Sequence, residues 1–172
     1  MSRISLHIAL SCVCIGLLCR LPLCADTHAF WVDFSIEDSR IDSSFRNNET
    51  YLSDLCYFLD SVSFDPRLSL QEVTFGGYVS PEGPEAFNTQ LGAERMHALA
   101  QWVRSRYDLP DSIISYYLAP VPCLTSEERD MLGQGLYPAS FLAMRKATAE
   151  FIVARAEPQH MTEILVGGVL IH

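Results

Sequence analysis

The sequence predicts an α/β (α+β) fold in which helices pack on a β-sheet as a two-layer sandwich. Segments with the periodicity of strands and helices alternate along the chain, in the order strand, helix, strand, helix, strand, helix, strand. No internal repeat or interdomain linker interrupts this order, and 49% hydrophobic with 19% charged residues is typical of one globular domain. A domain of this size buries enough apolar surface to fold without a metal or a disulfide.

The first half of the chain contains two predicted strands with a helix between them. Residues 30–35 alternate apolar and polar side chains, which indicates a half-buried strand. The pair Asn47-Asn48 can cap a helix, which should end before Asp65-Pro66. The apolar residues of this helix recur three or four positions apart: Leu52, Leu55, Leu59 and Val62. Residues 68–75 predict a second strand, which the following two glycines break.

The second half is predicted to contain two helices and two strands. Pro84 suits the first position of a helix whose apolar face comprises Phe87, Leu91, Ala98, Leu99 and Trp102. Residues 113–118 are β-branched and aromatic, which indicates a third strand, whereas the prolines and glycines of residues 119–138 indicate an irregular segment. A third helix is predicted over residues 139–156, and a last strand over residues 164–171.

The first 25 residues have the features of a secretory signal peptide. Arg3 gives a cationic start, residues 4–18 form an apolar run, and Ala25 is a small residue where a signal peptidase cuts. We therefore expect cleavage near the Ala25-Asp26 bond and one domain over residues 26–172.

Two alternatives to a cleaved leader remain open. A transmembrane helix is disfavoured because Arg20 and Pro22 interrupt the run before it reaches the roughly 18 to 20 apolar residues that a span needs. A lipoprotein signal is a further possibility, because Leu21-Pro-Leu-Cys24 loosely resembles a lipobox.

Removal of the leader would leave two of the six cysteines, Cys56 and Cys123. In an exported chain these two could form a disulfide, but Cys56 falls on the apolar side of the first helix, where a free thiol is equally suitable. Neither cysteine, and none of the five scattered histidines, has the spacing of metal ligands. No metal and no other cofactor is predicted.

The chain is acidic, with 21 Asp and Glu against 12 Lys and Arg and a formal charge of −9. The predicted leader contains two basic residues and no acidic one, so the mature domain is more negative still. Without a cluster of Lys and Arg, the chain lacks the electrostatic footprint of a nucleic-acid-binding protein, and an anionic membrane is an equally poor partner. A single local cationic site is compatible with this charge.

The segment over residues 76–99 carries the candidate ligand-binding residues. Asn88 and Arg95 lie on one side of the second helix, because seven residues advance about 700°, close to two full turns. The glycines before the helix allow a sharp turn and bring amide N–H groups close to a ligand, and the helix start adds partial positive charge. Arg95 can bind a carboxylate through two parallel hydrogen bonds, and Glu82, or less favourably Glu85, can face an ammonium group. The pattern predicts a pocket for a zwitterion, with Arg95 free at its mouth.

These residues also resemble a known family. The spacing Asn-x-x-Leu-x-x-x-Arg of residues 88–95, together with Gly77-Tyr78 and Gly83, resembles the OmpA-like peptidoglycan-binding domain. The similarity is greatest to variants whose loop reads Ser-Pro-Glu-Gly, as residues 80–83 do here. It covers the order of elements from about residue 30 to residue 118, and the C-terminal third diverges.

The resemblance implies a βαβαβ-αβ order with a mixed sheet, in a non-catalytic protein of the Gram-negative periplasm or outer membrane. It also implies that the domain binds the diaminopimelate of the peptidoglycan stem peptide. Arg95 would hold the carboxylate and Asn88 would order the loop, while Ser80 and Glu82 would meet the amino group. Ser80 stands where the family has an aspartate, so Glu82 must supply the negative charge. The predicted ligand-binding set is completed by Tyr78 and Gly83.

Another interpretation needs no ligand. Asn88 would then cap a turn and Arg95 would be a surface residue paired with Glu94 or Glu85. The domain would serve as an interaction module that binds another protein in an envelope or surface-fibre assembly. A hydrolase is the least supported interpretation, because Ser80 does not lie in a Gly-x-Ser-x-Gly elbow and no base is indicated, so the sequence predicts a non-enzyme.

Overall fold

A computed structural model describes residues 24–156, which form a four-stranded mixed β-sheet and the helices that pack on it. The elements in chain order are β1 (Cys24–Asp33), α1 (Asn48–Phe64), β2 (Leu68–Gly77), α2 (Glu85–Arg104), β3 (Ile114–Leu118), α3 (Ser126–Gly133), α4 (Ala139–Met144) and β4 (Lys146–Arg155). One turn of 3-10 helix, Asp111–Ile113, precedes β3. The predicted α/β (α+β) class with a mixed sheet is confirmed.

The order of the strands in the sheet is β1-β4-β2-β3. Strand β4 pairs antiparallel with both β1 and β2, and β2 pairs parallel with β3. Asp33 lies opposite Lys146, and Gly77 lies opposite Ala147, so the ends of β1 and β2 meet the start of β4. The loops that leave these strands therefore come together at one end of the sheet.

The hydrophobic core fills the layer between the sheet and helices α1 and α2. Alternate residues of β4 are buried there: Ala147, Ala149, Phe151 and Val153. The two helices contribute Leu55, Leu59, Leu99 and Val103 among others. Successive side chains of a strand point to opposite faces, and Trp31, which follows half-buried Phe30 in β1, is 42% exposed. The sheet is thus apolar on the face that the two long helices cover.

Helix α2 approaches the end of β2 so closely that a side chain does not fit between them. A Cβ atom at Gly77 would lie 2.2 Å from the carbonyl oxygen of Gly92, and one at Gly92 would lie 2.9 Å from the Cδ1 of Leu118. The glycine at position 77, which the sequence predicts to permit a turn, is therefore required by this contact. The contact holds the N-terminal half of α2, with Asn88 and Arg95, beside the strand end.

The predicted third helix over residues 139–156 is wrong for most of its length. Helix α4 ends at Met144, and residues 146–155 form β4. The alanines of this segment favour a helix by propensity, but Ala147 and Ala149 alternate with polar residues as a strand in the centre of a sheet requires. The predicted last strand over residues 164–171 lies outside the described residues.

The other elements confirm the predicted order with shifted boundaries. Strand β1 begins at Cys24 rather than at residue 30, and β2 runs to Gly77. Asn47 occupies the N-cap of α1 without a side-chain capping bond. Asn48 instead exchanges two hydrogen bonds of 2.9 Å with the backbone of Asp33 and so ties α1 to the end of β1.

The segment predicted to be irregular contains helix α3. Its N-terminus is a capping box, in which the Thr125 hydroxyl accepts from the backbone N–H of Glu128 and the Glu128 carboxylate accepts from the backbone N–H of Thr125. The rest of residues 119–138 forms the connections that lead to α4.

Most of the predicted signal peptide lies outside the described residues. Only Cys24 and Ala25 of residues 1–25 are described, and both belong to β1. Cleavage at the Ala25-Asp26 bond stays a prediction. Within residues 24–156, no helix has both the length and the apolar character that crossing a membrane requires. Cys56, which is half-buried, and Cys123, which is exposed, are free thiols.

Candidate ligand-binding site

A cavity of about 190 Å³ lies where the loops after β1 and β2 meet the start of α2. Five of the six predicted ligand-binding residues line it: Ser80, Glu82, Gly83, Asn88 and Arg95. Its apolar wall includes Ile36, Phe87, Leu91 and Tyr137, and two charged residues that the sequence did not indicate, Glu37 and Arg145, complete the lining. The spacing on α2 therefore predicted correctly that Asn88 and Arg95 share one side of the helix.

Asn88 holds the loop between β2 and α2 in place. Its Nδ2 donates to the carbonyl oxygens of Ser80 at 3.2 Å and Glu82 at 2.8 Å, and the residue is buried. Gly83 follows in this loop with φ of 94°, a left-handed conformation that glycine adopts without strain. Asn88 thus makes the loop contacts that its predicted role requires.

Arg95 is buried, and the expectation that it stands free at the cavity mouth is wrong. Only 1% of its surface reaches solvent. Its Nε donates to the carbonyl oxygen of Asp38 at 2.9 Å, Nη2 to that of Ser35 at 2.9 Å, and Nη1 to that of Tyr78 at 3.4 Å. The aromatic ring of Phe34 lies 5.3 Å from the guanidinium carbon. The loop after β1 therefore folds over this side chain and binds it with backbone carbonyls.

The charge of Arg95 is nevertheless not balanced by a direct ion pair. Among the described residues, no carboxylate forms a salt bridge with it, neither Glu94 nor Glu85 included. Burial and the nearby guanidinium of Arg145 lower the pKa of Arg95 to about 10, so it is still protonated at neutral pH. A guanidinium has five N–H donors, of which three are used here. Two remain without an acceptor in the part of the chain that the structure describes.

Arg145 binds both groups that the sequence assigned to the amino end of a ligand. Its Nε donates to the Ser80 hydroxyl at 3.0 Å and to Oε1 of Glu82 at 3.1 Å, and its Nη2 forms a short ion pair with the same oxygen. The other carboxylate oxygen of Glu82, Oε2, is buried and has no hydrogen-bond partner among the described residues. Ser80 and Glu82 are thus together, as predicted, but they hold a cation from the chain itself.

The backbone fixes Arg145 at this place. It follows the last residue of α4 and precedes β4, and its carbonyl oxygen accepts from the N–H of Phe34 at 2.8 Å. The next carbonyl, that of Lys146, accepts from the N–H of Tyr78 at 2.9 Å. The ends of β1 and β2 are thereby tied to the residue that enters the cavity.

Tyr78 and Glu85 do not contribute side chains to the cavity. The ring of Tyr78 lies 5.5 Å from Nζ of Lys146 and lines a separate cavity with Pro120 and Pro122. Only its carbonyl oxygen reaches Arg95. Glu85 is exposed at the first turn of α2.

The wall of the cavity favours an anion. Two guanidinium groups are buried in it and the carboxylate of Glu82 is partly buried, which leaves an excess of one positive charge, while Glu37 is exposed at the rim. The Ser80 hydroxyl accepts a hydrogen bond from Nε of Arg145 at 3.0 Å. Within residues 24–156 no cluster of His, Cys, Asp and Glu could hold a metal ion.

No family model matches the chain, and no curated protein matches it. Among solved structures, the peptidoglycan-associated lipoprotein from Burkholderia pseudomallei aligns over 72% of this chain and 89% of its own, at 15% identity and a TM-score of 0.46. A periplasmic domain of MotB aligns over 77% of this chain and 62% of its own, at 10% identity and a TM-score of 0.43. The periplasmic domain of Helicobacter pylori MotB aligns over 74% of both chains, at 11% identity and a TM-score of 0.39.

Proposed function

We propose that this chain is a non-catalytic OmpA-like domain of a Gram-negative cell envelope, exported to the periplasm or held at the outer membrane. Its ligand is peptidoglycan, bound through the diaminopimelate of the stem peptide. The observation that carries the proposal is a buried arginine without an ion-pair partner in the described chain, at the position where the Asn-x-x-Leu-x-x-x-Arg spacing places a carboxylate-binding residue.

The geometry supports carboxylate binding in two ways. Arg95 keeps two N–H donors in addition to those that bind Ser35, Asp38 and Tyr78, and a carboxylate can accept both. The low dielectric of the buried wall strengthens such a contact, and each charge-assisted hydrogen bond contributes about 1.5 to 3 kcal/mol. Phe87 and Leu91 line the same cavity and offer apolar contact to the methylene groups of a ligand.

Co-sedimentation with isolated peptidoglycan tests the proposal. The wild-type chain should sediment with diaminopimelate-containing peptidoglycan, and free meso-diaminopimelate should compete. Arg95→Lys retains the charge but loses the planar pair of donors, so we expect the affinity to fall about tenfold or more. Arg104→Lys is the matched control, because it makes the same change on the same helix where the side chain pairs with Asp111 instead.

Circular dichroism of each variant establishes that the fold is intact before binding is compared. A wild-type chain that fails to sediment with peptidoglycan contradicts the proposal directly, whatever the variants do. Equal binding by wild type and a folded Arg95→Lys variant would remove Arg95 from the site.

The second candidate is a degenerate OmpA-like module that binds another envelope protein. The observation that favours it is that the predicted ligand-binding groups already bind other groups of the chain. Arg95 donates to three backbone carbonyls, and Glu82 forms an ion pair with Arg145. Tyr116 and Tyr117 on the edge strand β3 are about half exposed and would suit a protein contact. Loss of peptidoglycan binding in the experiment above, with an intact fold, would favour this module.

A further inference from the structure

Arg145 determines which groups can lie next to a carboxylate bound in the cavity. This inference about ligand selectivity rests on the proposed function. Its guanidinium lies in the pocket wall with 10% of the side chain exposed and binds both polar groups of the loop after β2. The ion pair with Glu82 cancels the negative charge that a free ammonium group would need. The Ser80 oxygen also accepts from Arg145, so it is engaged as well.

The buried charges that remain are unfavourable for an ammonium group. Arg95 and Arg145 are both cationic, and the carboxylate of Glu82 forms its ion pair with Arg145. Asp38, the other carboxylate whose charge acts on Arg95, is itself paired with Arg40. An ammonium group next to a carboxylate on Arg95 would enter a region of net positive charge and lose its hydration there. Glu37 is the other acidic residue of the lining, and it is exposed at the rim, where solvent screens its charge.

One oxygen of the site is still available to a neutral donor. Oε2 of Glu82 is buried and has no hydrogen-bond partner in the described chain, although the charge of its carboxylate is balanced by Arg145. A buried acceptor without a donor is costly, and an amide N–H satisfies it without bringing a second positive charge. An amine that has been acylated presents this N–H.

We propose that the cavity selects a carboxylate whose neighbouring amine is acylated or absent, and that Arg145 is the specificity-determining residue. The carboxylate binds Arg95, the adjacent amide N–H donates to Oε2 of Glu82, and a free zwitterion is disfavoured. Within peptidoglycan, this chemistry corresponds to diaminopimelate whose amino group is part of an amide bond.

Calorimetric titration with two probes tests this selectivity. The probes are meso-diaminopimelate and the same compound with both amines acetylated, which share the carboxylates and differ in the charge of the nitrogens. The wild-type chain should bind the acetylated probe more tightly than the free one. In Arg145→Gln the charge of Glu82 is no longer balanced, so the preference should reverse by about tenfold or more toward the free amine.

Two variants serve as controls for charge and position. Lys146→Gln removes a positive charge from the next residue, which lines a different cavity, and should leave the ratio of the two affinities unchanged. Arg67→Gln removes an exposed positive charge that pairs with Asp65 outside the cavity, and should change that ratio less than twofold. A reversal of preference in either control would show that net charge rather than Arg145 sets the selectivity, and would overturn the inference.

The wild-type comparison stands even if Arg145→Gln does not fold. Equal or tighter binding of free meso-diaminopimelate by the wild-type chain would overturn the selectivity while leaving peptidoglycan binding intact. Sedimentation with peptidoglycan without binding of either probe would also overturn it. Failure of the wild-type chain to bind the probes and to sediment would reject the proposed function, and the selectivity with it.

Discussion

Arg95 is predicted to stabilise the fold as well as to bind a ligand, and the stability of Arg95→Met without ligand measures the first of these roles. Methionine fills a similar volume but donates no hydrogen bond. The carbonyl oxygens of Ser35 and Asp38, each 2.9 Å from the guanidinium, would lose their donor, whereas the bond to Tyr78 at 3.4 Å contributes little.

The expected loss follows from these two contacts. An unpaired buried acceptor costs about 1 to 3 kcal/mol, and both carbonyls are only partly buried, so we use about 1 to 2 kcal/mol for each. The free energy of unfolding should therefore fall by about 2 to 4 kcal/mol, a large share of the roughly 5 to 15 kcal/mol of a typical domain.

Urea unfolding followed by tryptophan fluorescence measures this change, because Trp31 and Trp102 report on the sheet and on α2. Arg67→Met is the control, since this exposed arginine pairs with Asp65 at the surface, where solvent screens the pair, and its loss should leave the free energy of unfolding nearly unchanged. An Arg95→Met variant as stable as wild type, or more stable, would refute the reasoning. It would mean that the free energy lost by desolvating the guanidinium is as large as the free energy gained from its hydrogen bonds to the carbonyls.

Three further predictions concern the frame of the site. Gly77→Ala should lower the free energy of unfolding in urea by about 3 kcal/mol or more, because the added Cβ would overlap the backbone of α2. Gly133→Ala is the control: a Cβ added there has no atom within 4 Å, so this variant should be neutral or slightly stabilised. Asn88→Ala should cost about 1 to 3 kcal/mol and speed amide exchange at Ser80, Glu82 and Gly83, since two loop carbonyls lose their donor. The pKa of Asp38 is lowered to about 2 by hydrogen bonds from Arg40, so its stabilising contribution is present above pH 4 and lost as the pH falls toward 2. Carbon NMR titration should give this midpoint for Asp38 and a higher one, nearer 3.8, in Arg40→Ala; an unchanged midpoint would contradict the assignment.

The first two thirds of the fold were predictable because strong local signals agree with the tertiary structure. The apolar spacing of Leu52, Leu55 and Leu59 and the proline before α2 place the starts of both long helices within a residue or two. Strand β4 was not predictable by propensity, because the alternation of Ala147 and Ala149 with polar residues is a weak signal in an alanine-rich segment. Tertiary pairing on both sides decides that segment.

The part of the site that lies on helix α2 could be predicted from the sequence. The contacts from segments distant in sequence could not. Seven residues of helix suffice to place Asn88 and Arg95 together. No local pattern shows that the carbonyl oxygens of Ser35 and Asp38 would enclose Arg95. The contact between Glu82 and Arg145 is equally remote in sequence, and the assignment of Arg145 to a helix concealed it.

The position of β4 has a consequence for how the chain reaches its folded state. Strand β1 pairs with β4 in the described sheet, from Asp33 with Lys146 to Cys24 with Arg155, so its neighbour is synthesised last of the four strands. Closing such a long loop makes assembly of the sheet slow and late. A nascent chain that stops before residue 146 lacks the strand that pairs with both β1 and β2, so we expect truncated products to be open to proteases.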